Sequence, residues 1–157
     1  MNRLLLEQML RKMKQILQNG GSIGDLKIGA LYALGSQLEA IFYFIGHELG
    51  STLHEDCKKG SIVESLKCIT EKYHLGEYVP EESETDHISF GLKQCGSCQD
   101  IDVNNIQMSQ GFCSFEAGLY AGVVEKITGK HCFAQELECR LQGNCDMCKF
   151  MIVIPEK

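Results

Sequence analysis

The chain has 157 residues, a length typical of one globular domain. Hydrophobic residues make up 44% of it, and 21 acidic against 15 basic residues give a formal net charge of −6. This acidic balance gives no reason to expect a nucleic acid as partner. The nine cysteines are the unusual feature of the composition. Because the first residues lack the features of a secretory signal, we expect a cytoplasmic protein whose cysteines are metal ligands or thiols rather than a disulfide framework.

The first third of the sequence predicts two helices. Residues 4–18 have apolar side chains at helical spacing, a pattern typical of a helix in the core or in a dimer interface. The segment from Lys27 to Leu49 is apolar almost all round and predicts a buried helix. Polar residues within it, such as Glu39 and His47, exclude a membrane span.

A third helix is predicted by Ser61-Ile62-Val63-Glu64, which matches a capping box. We expect this helix to end at about Tyr73. Cys57 and Cys68 lie before and within it, and we expect both to be isolated thiols.

The second half of the sequence predicts strands with one helix between them. A strand begins at Glu77 and leads into an acidic turn over residues 81–86, and residues 87–93 alternate so that Ile88, Phe90 and Leu92 face inward. A helix from about Cys113 to Ile127 ends at Gly129. Two further strands cover residues 131–139 and 147–154. Helices first and strands later predict one α+β domain over residues 1–157, with a helical N-terminal half and an antiparallel sheet.

Two C-x2-C pairs suggest a metal site from their spacing alone. They are Cys95 with Cys98, and Cys145 with Cys148. Two thiolates from one tight turn can occupy adjacent corners of a zinc tetrahedron. Buried thiols without a metal are the simpler alternative.

The last third of the chain contains a longer motif. A cysteine precedes a glycine-containing helix in residues 112–122, Glu136-Leu137-Glu138-Cys139 follows, and Cys148-Lys149-Phe150 begins the final strand. Over residues 110–152 this resembles the signature of the vinyl-4-reductase (4VR) family. Gly118 and Gly122 lie on one helix face, where small residues permit close approach of another backbone.

The resemblance implies a fold and a metal site. The fold would be like that of the transport-particle subunits and the haem–nitric-oxide-binding domains. The implied ligands of a structural zinc ion are Cys113, Glu136, Cys139 and Cys148. Cys145 is an alternative to Glu136 or Cys148. Cys95 and Cys98 remain open as ligands of a second metal, together with Cys113 or Cys132.

The resemblance also implies a small apolar ligand, hydrocarbon or aromatic, bound between helices and sheet. Candidate pocket residues are Phe42, His47, Phe90, Phe112 and Phe115, although such residues also form ordinary cores. No catalytic or cofactor motif is present in the sequence, which favours a sensor or carrier over an enzyme. We expect a homodimer that signals through a separate effector protein. The alternatives are an auxiliary subunit of a tetrapyrrole (vinyl) reductase and a structural assembly subunit.

Overall fold

In the described part of the chain, helices come before the first strand, and a further helix lies between the second and third strands, as predicted. The computed structural model describes residues 10–11, 14–20, 24, 27, 37–101, 111–143 and 145–156. The order of elements confirms the predicted α+β class. The helices whose bounds fall within the described residues are α1 (Gln37–Leu53), α2 (Ile62–Lys72) and α3 (Ser114–Thr128). The strands described there are β1 (Glu77–Ser83), β2 (His87–Lys93), β3 (Phe133–Glu138) and β4 (Cys148–Val153).

The two N-terminal helix predictions fall partly outside the described residues. Residues 10, 11 and 14–18 are helical, and the rest of the predicted helix 4–18 is not described. Lys27 is helical, and α1 continues to Leu53, four residues past the predicted end at Leu49. Residues 28–36 are not described. Among the described helices, none combines the length and the apolarity that a bilayer crossing requires.

The capping box at the start of α2 is confirmed. The Ser61 hydroxyl accepts a hydrogen bond from the Glu64 N–H, and the Glu64 carboxylate accepts one from the Ser61 N–H. The expectation that Cys57 and Cys68 are isolated thiols is wrong, because a disulfide joins them. Cys57 ends a short 3₁₀ turn (His54–Cys57) that packs against α2, and this brings the two Cα atoms to 5.8 Å.

The four strands form one antiparallel sheet in the order β1-β2-β4-β3. Ile88, Phe90 and Leu92 of β2 are buried as predicted. The acidic turn is shorter than predicted, because β1 continues through Glu82 to Ser83. A register shift after Pro80 and a hydrogen bond from the Glu82 N–H to the Ser89 hydroxyl keep this part of the segment in the sheet.

Helices α1 and α3 cross at glycines on both sides. A methyl group on Gly118 would lie 2.0 Å from the Tyr43 carbonyl oxygen, and one on Gly50 would lie 1.9 Å from the Leu119 carbonyl oxygen. Gly46 and Gly122 make equally close approaches. Only a residue without a Cβ fits there, so the close backbone approach predicted at Gly118 and Gly122 is confirmed. This contact fixes the position of α3 and therefore of the residues at its start.

An aromatic cluster lies between α3 and the sheet. The Phe90 ring lies 5.0 Å from Tyr78, 4.8 Å from Tyr120 and 5.5 Å from Phe150, measured between ring centroids. Phe90, Tyr120 and Phe150 are completely buried. Their stacked and edge-to-face arrangement is the geometry that aromatic pairs prefer.

Candidate metal centre

Five buried cysteine thiols converge beside the start of α3. Sulfur–sulfur distances are 3.4 Å for Cys95 to Cys113, 3.4 Å for Cys98 to Cys148, 3.6 Å for Cys113 to Cys148 and 3.9 Å for Cys139 to Cys148. All five side chains are at most 1% exposed. A zinc–sulfur distance of about 2.3 Å places the thiolates of a tetrahedral site about 3.8 Å apart. The observed separations therefore suit ligands of a shared ion.

Cys113 is placed by the helix that it begins. It is the N-terminal cap residue of α3, and its own side chain makes no capping hydrogen bond. Instead its backbone N–H donates to Glu136 Oε2 at 2.8 Å. A helix N-terminus leaves such N–H groups without intrahelical partners. The Glu136 carboxylate satisfies this one and is thereby held beside the Cys113 sulfur.

The four ligands implied by the family resemblance lie together. Glu136 belongs to β3, Cys139 directly follows β3, and Cys148 begins β4. With Cys113 they offer four donor atoms that all lie within 4.8 Å of one another. The antiparallel pairing of β3 with β4 brings these positions to the start of α3.

A second set of four donors overlaps the first. Cys95 and Cys98 lie on a tight turn after β2, where the Cys98 N–H donates to the Cys95 carbonyl at 3.0 Å. Their sulfurs and those of Cys113 and Cys148 all lie within 4.8 Å of one another. The sequence left Cys113 and Cys132 open as partners of Cys95 and Cys98, and the structure places Cys113 beside them.

Two other candidate cysteines lie outside both sets. Cys145 is half-buried and belongs to neither group of donors. The spacing of the two C-x2-C pairs suggested a site of Cys95, Cys98, Cys145 and Cys148. The structure brings Cys95, Cys98 and Cys148 together, and the fourth donor is Cys113 instead of Cys145. The Cys132 thiol lies beyond the other end of α3, 3.3 Å from the Lys130 carbonyl oxygen.

The carboxylate of Glu136 is buried with one oxygen unpaired among the residues described, and a metal ion would compensate its charge. Burial raises the pKa of Glu136, and its Oε1 atom has no hydrogen-bond partner among the described residues. Burial likewise raises the pKa of Cys113. A buried anionic group is costly unless an opposite charge compensates it, and a divalent cation would do so at both residues. The donor types, their separations and the unpaired oxygen all fit zinc.

Arg140 is a feature of the centre that the sequence analysis missed. Its Nη2 donates to the carbonyl oxygens of Gln99 at 3.1 Å and Ile101 at 2.9 Å, and it also contacts that of Cys98. Its backbone N–H points at the Cys148 sulfur, 3.5 Å away. Arg140 thus ties the Cys95–Cys98 turn to the β3–β4 connection. Its position directly after a proposed ligand was the available signal.

Two buried charged residues beside the centre were also missed. The Lys27 ammonium lies 2.9 Å from Glu39 Oε2 and 2.9 Å from Ser114 Oγ, and it contacts the Phe112 carbonyl oxygen. It therefore supplies the partner that the polar Glu39 requires. Glu116, in the first turn of α3, is almost completely buried, and burial raises its pKa to about 7.

The candidate pocket residues lie at separate places. Phe90 is part of the aromatic cluster, and Phe115 is buried in α3. Phe42 and Phe112 both face the Lys27 ammonium, which lies 5.4 Å and 4.5 Å from their ring centroids. His47 lies elsewhere on α1, with its Nε2 3.4 Å from a Glu125 carboxylate oxygen. Their role in binding a ligand stays a prediction.

Relatives with similar sequences come from Methanocaldococcus jannaschii. No family model matches the chain. The uncharacterized protein MJ0150 is 31% identical over 133 residues, which cover 84% of this chain and 73% of that protein. The uncharacterized protein MJ1642 is 28% identical over 119 residues, which cover 76% of this chain and 66% of the relative.

Three solved structures have the same fold. The phenol-responsive sensory domain of the transcription activator PoxR, solved with phenol, matches with a TM-score of 0.67 and 17% identity, covering 84% of this chain and 72% of that domain. A vinyl-4-reductase family protein from M. jannaschii matches with a TM-score of 0.61 and 20% identity, covering 96% of this chain and 94% of that one. Subunit 3 of the trafficking protein particle complex from Naegleria fowleri, covalently bound to palmitic acid, matches with a TM-score of 0.61 and 12% identity, covering 92% and 96%.

These matches confirm the vinyl-4-reductase resemblance at the level of the fold, together with the predicted relation to transport-particle subunits. The identity with MJ0150 extends over most of both chains. The chain belongs to the same family as the M. jannaschii protein MJ0150, and its fold is that of the vinyl-4-reductase proteins.

Proposed function

We propose that this protein binds a small apolar molecule as a sensor or carrier, and that a structural zinc ion holds its fold together. The fold match to the PoxR sensory domain with phenol is the main support. The trafficking-complex subunit bound to palmitic acid is a second example of this fold with an apolar ligand. The same kind of ligand on two distant relatives favours an apolar ligand here.

The aromatic cluster offers chemistry for such a ligand. The Tyr78 hydroxyl is buried beside Phe90 and has no hydrogen-bond partner among the described residues. Burial raises the pKa of Tyr78 to about 12, so the hydroxyl stays neutral and can donate a hydrogen bond. A phenol hydroxyl or a carboxylate would be a suitable acceptor. We place the ring or chain of the ligand against Phe90. Phe42, His47, Phe112 and Phe115 lie at other places and remain separate candidates.

The zinc ion is proposed at Cys113, Glu136, Cys139 and Cys148. Three thiolates and one carboxylate complete a four-coordinate site with no open position, which is the pattern of structural zinc rather than catalytic zinc. Such an ion would connect the start of α3 to both strands of the β3–β4 pair. This supports a binding role and not an enzymatic one.

Native mass spectrometry of the full chain, purified without added metal, tests the proposal. We expect at least one zinc ion per chain. Phenol and palmitic acid are then added separately as probes, and we expect each to bind and to stabilise the folded protein, as measured by calorimetry. Phe90→Ala should abolish probe binding, and the control Phe133→Ala should not, because Phe133 is 57% exposed. A folded, zinc-loaded protein that binds neither probe would contradict the binding role.

A structural assembly subunit is the second candidate, and exposed apolar side chains favour it. They lie on α1, on the end of α3 and on the β3–β4 edge of the sheet: Ile41, Phe44, Ile127, Phe133, Leu137 and Val153. Such residues are common at interfaces between protein chains. The same native spectra report the oligomeric state. A dimer that binds neither probe would favour the assembly role, whereas probe binding favours the sensor or carrier.

A further inference from the structure

The two sets of donors share an edge. Cys113 and Cys148 belong to both sets, Cys95 and Cys98 complete one, and Glu136 and Cys139 complete the other. We propose that the centre binds two divalent metal ions of the zinc type, bridged by the thiolates of Cys113 and Cys148. This proposal rests on the zinc site of the proposed function and adds a second ion beside it.

The distances favour two tetrahedra with a common edge. The shared sulfurs are 3.6 Å apart, close to the edge of about 3.8 Å expected for a tetrahedral zinc–thiolate site. Each shared sulfur also lies 3.4 Å from one sulfur of the Cys95–Cys98 turn. Within the set completed by Glu136 and Cys139, Cys148 lies 3.9 Å from Cys139. Both sets are therefore as tightly gathered as a single tetrahedral site requires.

One ion would leave two donors of the cluster without a role. A zinc ion at the Glu136 side leaves Cys95 and Cys98 buried beside it, and an ion at the turn leaves Glu136 and Cys139. With all six donors ionised, the cluster has a charge of −6 before any ion binds. Two divalent ions lower this to −2, whereas one lowers it only to −4. The second ion thus permits all six donors to be ligands in a buried site.

Contacts around the Cys95–Cys98 turn hold these two cysteines in position. The turn is closed by hydrogen bonds from the Cys98 and Gln99 N–H groups to the Cys95 carbonyl. Arg140 donates hydrogen bonds to the carbonyl oxygens that follow and brings a positive charge to this turn. Such outer contacts orient metal ligands and are common around metal sites.

Metal stoichiometry of the full chain tests the proposal. The protein is reconstituted with excess zinc, freed of unbound metal and measured by native mass spectrometry and elemental analysis. Two ions per chain are expected. One ion per chain would overturn the binuclear site and leave the structural zinc standing, and a folded chain with reduced thiols and no ion would overturn both. Cadmium NMR on protein reconstituted with cadmium in place of zinc should show two resonances coupled through the shared thiolates.

Matched cysteine variants assign the ions. Cys95→Ser with Cys98→Ser removes one set and should lower the stoichiometry from two to one. Cys132→Ser is the control, because Cys132 is equally buried but lies outside both sets, and it should keep two ions. An unchanged stoichiometry in the double variant would contradict the proposal. If the double variant fails to fold, the coupling between the two cadmium resonances of the wild-type protein decides, and its absence overturns the bridged site.

Discussion

The position of the Glu136 carboxylate depends on the absence of a side chain at Gly111. The carboxylate accepts a hydrogen bond from the Cys113 N–H and lies close to Gly111. A Cβ on Gly111 would lie 2.3 Å from Glu136 Oε2, well inside van der Waals contact. Gly111 is therefore the residue that lets the carboxylate reach the sulfur cluster. A glycine that is required because a side chain would clash, and not because of its backbone angles, cannot be recognised from a single sequence.

Gly111→Ala should displace the Glu136 carboxylate and weaken metal binding. We expect a loss of affinity of at least about 10-fold, since disturbing the groups around a metal commonly costs 10- to 100-fold. Competition with a chromophoric chelator measures it. Gly60→Ala is the control, because a methyl group there would only approach the flexible end of Glu64, at 3.4 Å. Equal affinities for the two variants would show that Glu136 does not contact the metal.

The candidate ligand residues were predictable where a motif pointed to them, and the supporting residues were not. Cys113, Glu136, Cys139 and Cys148 follow from the family resemblance and lie together. Arg140 acts through three backbone carbonyls more than 38 positions earlier in the chain. Contacts of this kind depend on the folded path of both segments, which residue spacing does not encode.

At the scale of elements, the α1–α3 contact sets the geometry of the whole centre. The pairs Gly46 and Gly50 on α1, and Gly118 and Gly122 on α3, face each other's backbones. The glycine spacing on α3 predicted a close approach by another backbone, but it did not identify α1 as the partner. The length of β1 was not predictable in the same way, since its acidic outer residues are typical of a turn. Sheet hydrogen bonds with β2 hold them extended despite that composition.

Gly118→Ala tests the contact, and the sign of the effect is informative. Alanine is favoured over glycine in a helix by about 1 kcal/mol, so helix propensity alone predicts stabilisation. The new methyl group would instead lie 2.0 Å from the Tyr43 carbonyl oxygen and force the helices apart. We expect a net loss of about 3 kcal/mol, at the upper end of overpacking effects. This corresponds to a fall in melting temperature of roughly 6–12 °C, measured by calorimetry.

Gly60→Ala serves again as the control and should shift the melting temperature little. A Gly118→Ala protein as stable as the wild type would mean that α1 and α3 do not approach as closely as described.

For the whole molecule, the cysteine cluster joins three parts of the chain that are distant in sequence. The Cys95–Cys98 turn, the start of α3 and the β3–β4 connection meet there, across 53 positions of sequence from Cys95 to Cys148. The aromatic cluster and the α1–α3 contact are made by other residues of the core. The domain therefore has two sources of stability, one from apolar packing and one from the proposed metal centre.

Removal of the metal should separate these two sources. A strong chelator is expected to lower the melting temperature while the α1–α3 pair keeps its helical structure, because apolar burial and backbone packing hold that pair. Hydrogen exchange should rise first in residues 95–101 and 139–148, where the ligands are, and last in the middle of α3. The measurement is hydrogen exchange by mass spectrometry, with chelator already saturated with zinc as the control for non-specific effects. If protection were lost evenly over the domain, the metal would be required for the whole fold, as in small zinc domains that unfold without it. If exchange did not change at all although the metal had been removed, the centre would contribute nothing to stability, and a structural role for the ion would be wrong.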